Sequence, residues 1–174
     1  LKPGIVDTMR PMTGYSDKTR FALIEPFERD DHLMRDIRTG DVTSIKLNRV
    51  VPFEGKGSLE ITLTEDKPLV ELASLSRMTE LGLNSPYVYL ELNYKSEVPV
   101  IFGLVAYANI GSTQGSVLLD PGFYPEEDWQ KIYFNLSSLV YSSDHAAWQL
   151  VLRTVLEAEP EATVLLDNLK LVFF

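Results

Sequence analysis

The sequence contains no cysteine in 174 residues. Disulfides, thiolate metal sites, iron–sulfur clusters and a cysteine nucleophile are therefore excluded. The compartment is not fixed by this, because an exported domain with a large core needs no disulfide. Histidine is nearly as scarce, His32 and His145 being the two present. Zinc-ligand spacing, an HExxH helix and a glycine-rich phosphate loop are all missing. Basic residues are outnumbered 16 to 25, for a formal charge of −9. A nucleic-acid surface needs a basic stripe, and the scattered Lys and Arg form none, so nucleic acid is excluded as a partner. No apolar run approaches the roughly 20 residues of a membrane-spanning helix. The chain opens with Leu1 rather than Met. It is expected to be a processed piece, with any signal peptide or lipid-attachment cysteine lying upstream.

What is present is a period of two, repeated along the chain. Residues 1–20 lack apolar periodicity and read as an extended lead-in; residues 21–174 read as a single domain. Strands are expected at "FALIEPFE" (21–28, with Pro26 marking an edge or a break), "TSIKLNRV" (43–50), "GSLEITLT" (57–64), "YVYLELNYK" (87–95), "PVIFGLVAYA" (99–108) and "GSVLLD" (115–120). Further strands are expected at "WQKIYFNL" (129–136), "AWQLVLRTV" (147–155) and "ATVLLDNLKLVFF" (162–174). "PLVELASL" (68–75) suits a strand or a short helix. Helical periodicity is confined to "RDDHLMRDI" (29–37) and "SLSRMTELG" (74–82), with one more turn possible in "FNLSSLVYSSDHAAW". Nine or ten short strands separated by Gly, Pro and Asp turns indicate an all-β antiparallel sandwich, a jelly roll.

The last strand carries an Asp-Asn step, Asp167 and Asn168, inside an apolar run. Val164 and Leu166 share one parity; Leu169, Leu171 and Phe173 have the other. One extra residue near 167–168, a β-bulge, brings both sets onto the core. Asp167 then accepts backbone N–H bonds.

The segment "WQKIYFNLSSLV", followed after about 25 residues by "VLLDNLKL", resembles the end of carbohydrate-binding modules with the galactose-binding-like jelly-roll fold. "VYLELNYKSEVPVIFGLV" further resembles surface-lipoprotein domains of Bacteroidetes-type bacteria that share the sandwich. The resemblance spans about residues 20–174. It implies a non-catalytic domain that recognises glycan, exported and displayed at the cell envelope or outer-membrane surface in the manner of a lipoprotein. The alternative is a protein-interaction or structural domain of the envelope with no sugar site. The resemblance also implies a structural calcium ion held by Glu28, in "PFERDD", and by Asp167, with backbone carbonyls completing the shell that this hard cation requires. The bulge and the calcium site are compatible and both stay open.

Sugar-binding surfaces combine flat aromatic rings with a few polar groups. With Val88, Leu90 and Leu92 inward, Tyr87, Tyr89 and Glu91 point out. With Ile132 and Phe134 inward, Trp129, Lys131 and Tyr133 point out. These six are the candidate ligand-binding residues. Tyr107, Gln149 and Arg153 are also expected outward, extending the same face if their strands are neighbours, whereas Trp148 has core parity. The loop "DPGFYPEEDW" (120–129), rich in aromatics and acids, is a second candidate. Asp144 and His145 lack a glycine elbow or oxyanion support, so a triad is not indicated. Tyr and Trp also suit strands by intrinsic preference, so an outward aromatic is not by itself a site.

Overall fold

The computed structural model describes residues 19–36, 44–79, 81, 87–119, 122–141 and 145–174. The lead-in, apart from its last two positions, lies outside the described residues, as does Asp144. The strands are β1 (Arg20–Glu25), β2 (Met34–Asp36), β3 (Ile45–Asn48), β4 (Ser58–Thr64), β5 (Leu69–Ser74), β6 (Val88–Ser96), β7 (Val100–Tyr107) and β8 (Ser116–Leu119). They continue as β9 (Glu126–Asn135), β10 (Ala147–Val155) and β11 (Glu161–Phe173), with a short helix, α1 (Ser137–Tyr141), between β9 and β10. β5 is a strand, which settles that ambiguity. β2 replaces the helical turn expected over 29–37. There, the backbone N–H of Leu75 bonds to the Leu33 carbonyl, and Met34 pairs with Ser74. An edge-pairing opportunity supplied by a distant strand outweighs a weak local helical pattern.

Among the described residues all strand pairings are antiparallel, in two sheets. The first runs β3-β4-β11-β6-β9, with β1 also on β11; the second runs β2-β5-β10-β7-β8. Their inner faces enclose one core. Leu59, Ile61 and Leu63 of β4, Leu90 and Leu92 of β6 and Leu166, Leu169 and Leu171 of β11 meet Leu72, Phe102, Leu104, Leu150 and Leu152 of the second sheet, all with no exposed surface. This alternation follows from the period-two pattern, because successive strand side chains point to opposite faces. Trp148 is buried, as its parity requires.

β11 is the spine of the first sheet. One flank pairs with β6 along its length, while the other is shared by β4 over Glu161–Leu166 and by β1 over Leu169–Phe173. The change of partner falls at the expected bulge. Asp167 pairs with Asn93 and Lys170 with Glu91, so Asn168 and Leu169 together oppose Leu92. Asn168 adopts φ +50°, a left-handed conformation that Asn tolerates better than most residues. The extra residue puts Val164, Leu166, Leu169 and Leu171 all in the core.

Pro26 ends β1. Phe27, with φ +52° and no exposed surface, then turns its ring into the core. This turn is held by Glu25, whose buried carboxylate accepts the N–H groups of Phe27 (2.7 Å) and Leu33 (2.5 Å).

Candidate functional site

The outer face of the first sheet is set by β6 and its neighbours. Across the pairing, Tyr89 lies opposite Asn135 on β9 and Val172 on β11, Glu91 opposite Tyr133 and Lys170, and Asn93 opposite Lys131 and Asp167. Five of the six sequence candidates, Tyr89, Glu91, Trp129, Lys131 and Tyr133, therefore stand within two adjacent strands on one face, as parity requires. The sixth, Tyr87, immediately precedes β6 and has the parity of Tyr89.

At one end of this face three rings meet. Tyr87 and Tyr89 have centroids 6.5 Å apart with planes inclined by 25°. Phe174 lies 5.7 Å from Tyr87 at 37° and 5.8 Å from Tyr89 at 12°. In a linear stack the outer pair would be separated by about twice the inner spacing. Near-equal separations instead place the rings in a triangle, an aromatic plate in which two pairs are stacked and Tyr87–Phe174 is tilted. The arrangement grows from the strand ends: the N–H of Phe174 bonds to the Tyr87 carbonyl, aligning the end of β11 with the start of β6. Tyr87 is 48% exposed and the other two rings are half-buried. Burial, with the Tyr87 hydroxyl as a lesser cause, pushes the Tyr89 phenol above its ordinary value. Phe174 was not singled out from the sequence. The bulge expected near 167–168 gives it outward parity, opposite to that of Leu169, Leu171 and Phe173.

Next to the plate lies a polar triad. Glu91 is almost fully buried and receives Lys131 at 2.7 Å and Lys170 at 3.6 Å, both at Oε1. Lys131 also stands 5.3 Å from the Tyr133 ring centroid. Burial works to lower the Lys131 pKa, but hydrogen bonds to Glu91 and Tyr133 outweigh it and the net shift is upward. Lys131 is a cation at any physiological pH.

Trp129 is separated from the plate. Its ring packs on Phe53, 5.7 Å between centroids, and Phe53 belongs to the loop joining β3 to β4. That loop crosses the outer face, tied down by carboxylates. Asp167 Oδ2 accepts the N–H groups of Phe53 (2.9 Å) and Glu54 (3.1 Å), and Oδ1 accepts that of Asn168 (2.7 Å). Glu28 accepts the Lys56 N–H through both oxygens, at 3.0 and 3.1 Å. The loop runs so close that a Cβ on Gly55, at φ +68°, would stand 1.7 Å from Glu28 Oε1. The sequence shows Gly55 and Gly57 as a turn signal but not what they pass over.

Glu28 and Asp167, the expected calcium pair, thus converge on one loop. Asp167 has no exposed surface, and burial raises its pKa. Its amide bonds work in the opposite direction, and the charge of Glu28 adds to the rise. Among the described residues no group of three or more acidic or histidine side chains gathers to hold a metal. The two carboxylates fit a shared cation only with backbone oxygens supplying the remainder of its shell. Each oxygen that accepts one N–H still has a second lone pair.

The expectation that Tyr107, Gln149 and Arg153 extend the same face is corrected: β7 and β10 belong to the second sheet, so these residues lie on the opposite side of the molecule. There each is engaged by neighbours on that face. The Tyr107 hydroxyl donates to Gln149, Gln149 donates to the Ser74 carbonyl, the Arg77 guanidinium covers the Tyr107 ring at 3.7 Å, and Arg153 pairs with Glu71. The loop over 120–129 also divides. Asp120 and Pro121 lie outside the described residues. Phe123 packs in the core against Phe102 and Phe134, and Tyr124 is 63% exposed. A cleft of about 660 Å³ opens at the far end of the first sheet, near Lys95, Glu97, Glu126, Glu127 and Thr163. Its lining contains no aromatic ring. Among the described residues no helix is long and apolar enough to cross a membrane.

No family model matches the chain, and no curated protein matches its sequence. Solved structures do share its fold. The xylan-binding CBM22-1 domain of Paenibacillus barcinonensis Xyn10C superposes with a TM-score of 0.60 at 14% identity, covering 91% of this chain and 97% of that one. A CBM29-2 mutant complexed with mannohexaose superposes with a TM-score of 0.56 at 12% identity, covering 89% and 92%. The K3 cleaved adhesin domain of Lys-gingipain from Porphyromonas gingivalis superposes with a TM-score of 0.54 at 9% identity, covering 88% and 98%. The chain has the all-β jelly-roll sandwich seen in carbohydrate-binding modules.

Proposed function

We propose that this domain recognises glycan without catalysing its cleavage, with the plate of Tyr87, Tyr89 and Phe174 as its stacking surface. The observation that carries the reading is the plate itself: three rings clustered on the outer face of the sheet, two pairs stacked and the third tilted by 37°. The C–H face of a sugar stacks on such a surface, while Tyr hydroxyls and nearby polar groups pair with sugar hydroxyls. The fold shared with a xylan-binding domain and with a module complexed with mannohexaose supports it. Within the same proposal the domain is exported and works at the bacterial cell envelope. Affinity electrophoresis against plant, host and bacterial polysaccharides tests the reading. Retardation by at least one polymer, lost in Tyr89→Ala with the fold intact, is the expected result; no retardation by any of them overturns it.

The second reading, a protein-interaction domain of the envelope, is favoured by the β3–β4 loop, which straps the outer face. Val50 is 88% exposed, and Phe53, which packs on Trp129, is 45% exposed, so the loop carries an apolar tip. A blank polysaccharide screen, with capture of an envelope protein lost in Val50→Asp, would select this reading.

A calcium ion shared by Glu28 and Asp167 is also proposed, supported by their convergence and by the upward pKa of Asp167, which a divalent cation would offset. Calcium is expected to raise the melting temperature and a chelator to reverse the rise, with Asp167→Ala insensitive to both. Melting of calcium-treated protein that does not respond to chelator contradicts it.

A further inference from the structure

We propose that the ligand of the aromatic plate is an anionic glycan, one bearing carboxylate or sulfate groups, because two lysines beside the plate share a single carboxylate. This rests on the glycan reading above and names its substrate class. Lys131 and Lys170 reach the same Glu91 oxygen from opposite neighbouring strands. Among the described residues Glu91 is the one acidic group that pairs with either. Two ammonium groups on one carboxylate leave a unit of positive charge on this spot of a chain whose formal charge is −9.

Placement decides what that charge meets. Glu91 follows Tyr89 by two residues, about 7 Å along the strand. A sugar stacked on Tyr89 and Phe174 therefore carries its substituents, or those of the next unit, toward Lys170 and Lys131. Glu91 is nearly closed to solvent, with 5% of its side chain exposed, while Lys131 keeps 46% and Lys170 28%. The surface a ligand meets is thus the cations rather than the anion. Asp167, on the same face, is fully buried and turns its oxygens to the amides of Phe53, Glu54 and Asn168, while the exposed Glu54 carboxylate accepts from the Asn168 side chain at 3.3 Å. The acidic remainder of the molecule acts weakly here, because exposed charges beyond about 8 Å are screened at physiological salt. Lysine supplies a point charge, which suits carboxylate and sulfate alike.

The test is a set of matched polymers: glucan, mannan and galactan, each beside its C6-carboxylated counterpart, together with a sulfated galactan. Binding is measured at low and high salt. At low salt at least one anionic polymer is expected to bind about fivefold more tightly than its neutral partner, roughly what one unit charge at 4 Å supplies in water. The preference is expected to vanish in high salt. In Lys170→Gln the anionic-to-neutral ratio is expected to fall toward one; this variant leaves Glu91 paired with Lys131, so the fold is kept. Lys131→Gln, in which Lys170 stays with Glu91, gives an independent reading of the same ratio. The arms separate carboxylate from sulfate. Neutral polymers bound as well as or better than every anionic partner overturn this inference and leave the glycan reading standing. No binding to any polymer overturns both.

Discussion

Asp167 joins a fully buried carboxylate to three backbone N–H donors, two of them from a loop more than a hundred residues away in sequence. Removing it leaves those donors without their acceptor at a cost of about 1–3 kcal/mol for each that stays buried. The loop is partly open to water, so Asp167→Ala is expected to lose about 2–4 kcal/mol in chemical denaturation; a loss under about 1 kcal/mol contradicts this role. The pH dependence has a definite sign. Burial raises the carboxyl above its ordinary 3.8, so the folded protein holds this proton more tightly than the unfolded chain does. The stability linked to the proton is fully present below 3.8 and is lost as pH rises through the raised folded value. In chelator, wild-type stability minus that of Asp167→Asn is therefore expected to increase on acidification across this window. A pH-independent difference contradicts the upward shift.

At the scale of elements, the bulge in β11 and the strap loop make distinct claims. Asn168, at φ +50°, is expected to accept glycine with little change, whereas Asn168→Val costs about 1–3 kcal/mol because a β-branched side chain is strained there. Equal stability of the two variants would remove the bulge from the account. Phe53→Ala is expected to cost about 0.5–1.5 kcal/mol and to shift the emission of Trp129 to longer wavelength, since Trp148 stays in the core. Unchanged emission would mean that Phe53 does not shield Trp129. The bulge was legible in the sequence because a parity change in an apolar run has few explanations. The outward set on β6 and β9 was legible for the same reason. The neighbours of these strands were not: parity tells which way Tyr107 and Gln149 point but not that β7 and β10 lie in the other sheet. Strand order is a matter of long-range pairing, which alternation does not encode. The strap over Trp129 was hidden likewise, because its anchors, Glu28 and Asp167, are distant in sequence from the loop they hold. β2 is three residues long and owes its existence to the edge of β5 rather than to its own composition.

For the whole molecule, a sandwich with one continuous core gives its surfaces rigidity, and function resides in what those surfaces display. The face of the second sheet is closed by its own pairs, Tyr107 with Gln149 and Arg153 with Glu71. The face of the first sheet is divided by the strap: Trp129 is covered on one side, and Tyr87, Tyr89 and Phe174 form a plate on the other. The central claim is that this plate binds sugar. The most direct test is isothermal titration of the wild type and of Tyr89→Ala with the polysaccharide that retards the domain most, alongside thermal melts of both proteins. The account predicts that binding falls at least about tenfold in the variant, a loss of about 1.4 kcal/mol, while it still unfolds cooperatively near the wild-type temperature. Undiminished binding by a folded Tyr89→Ala would contradict it and place the sugar elsewhere on the molecule.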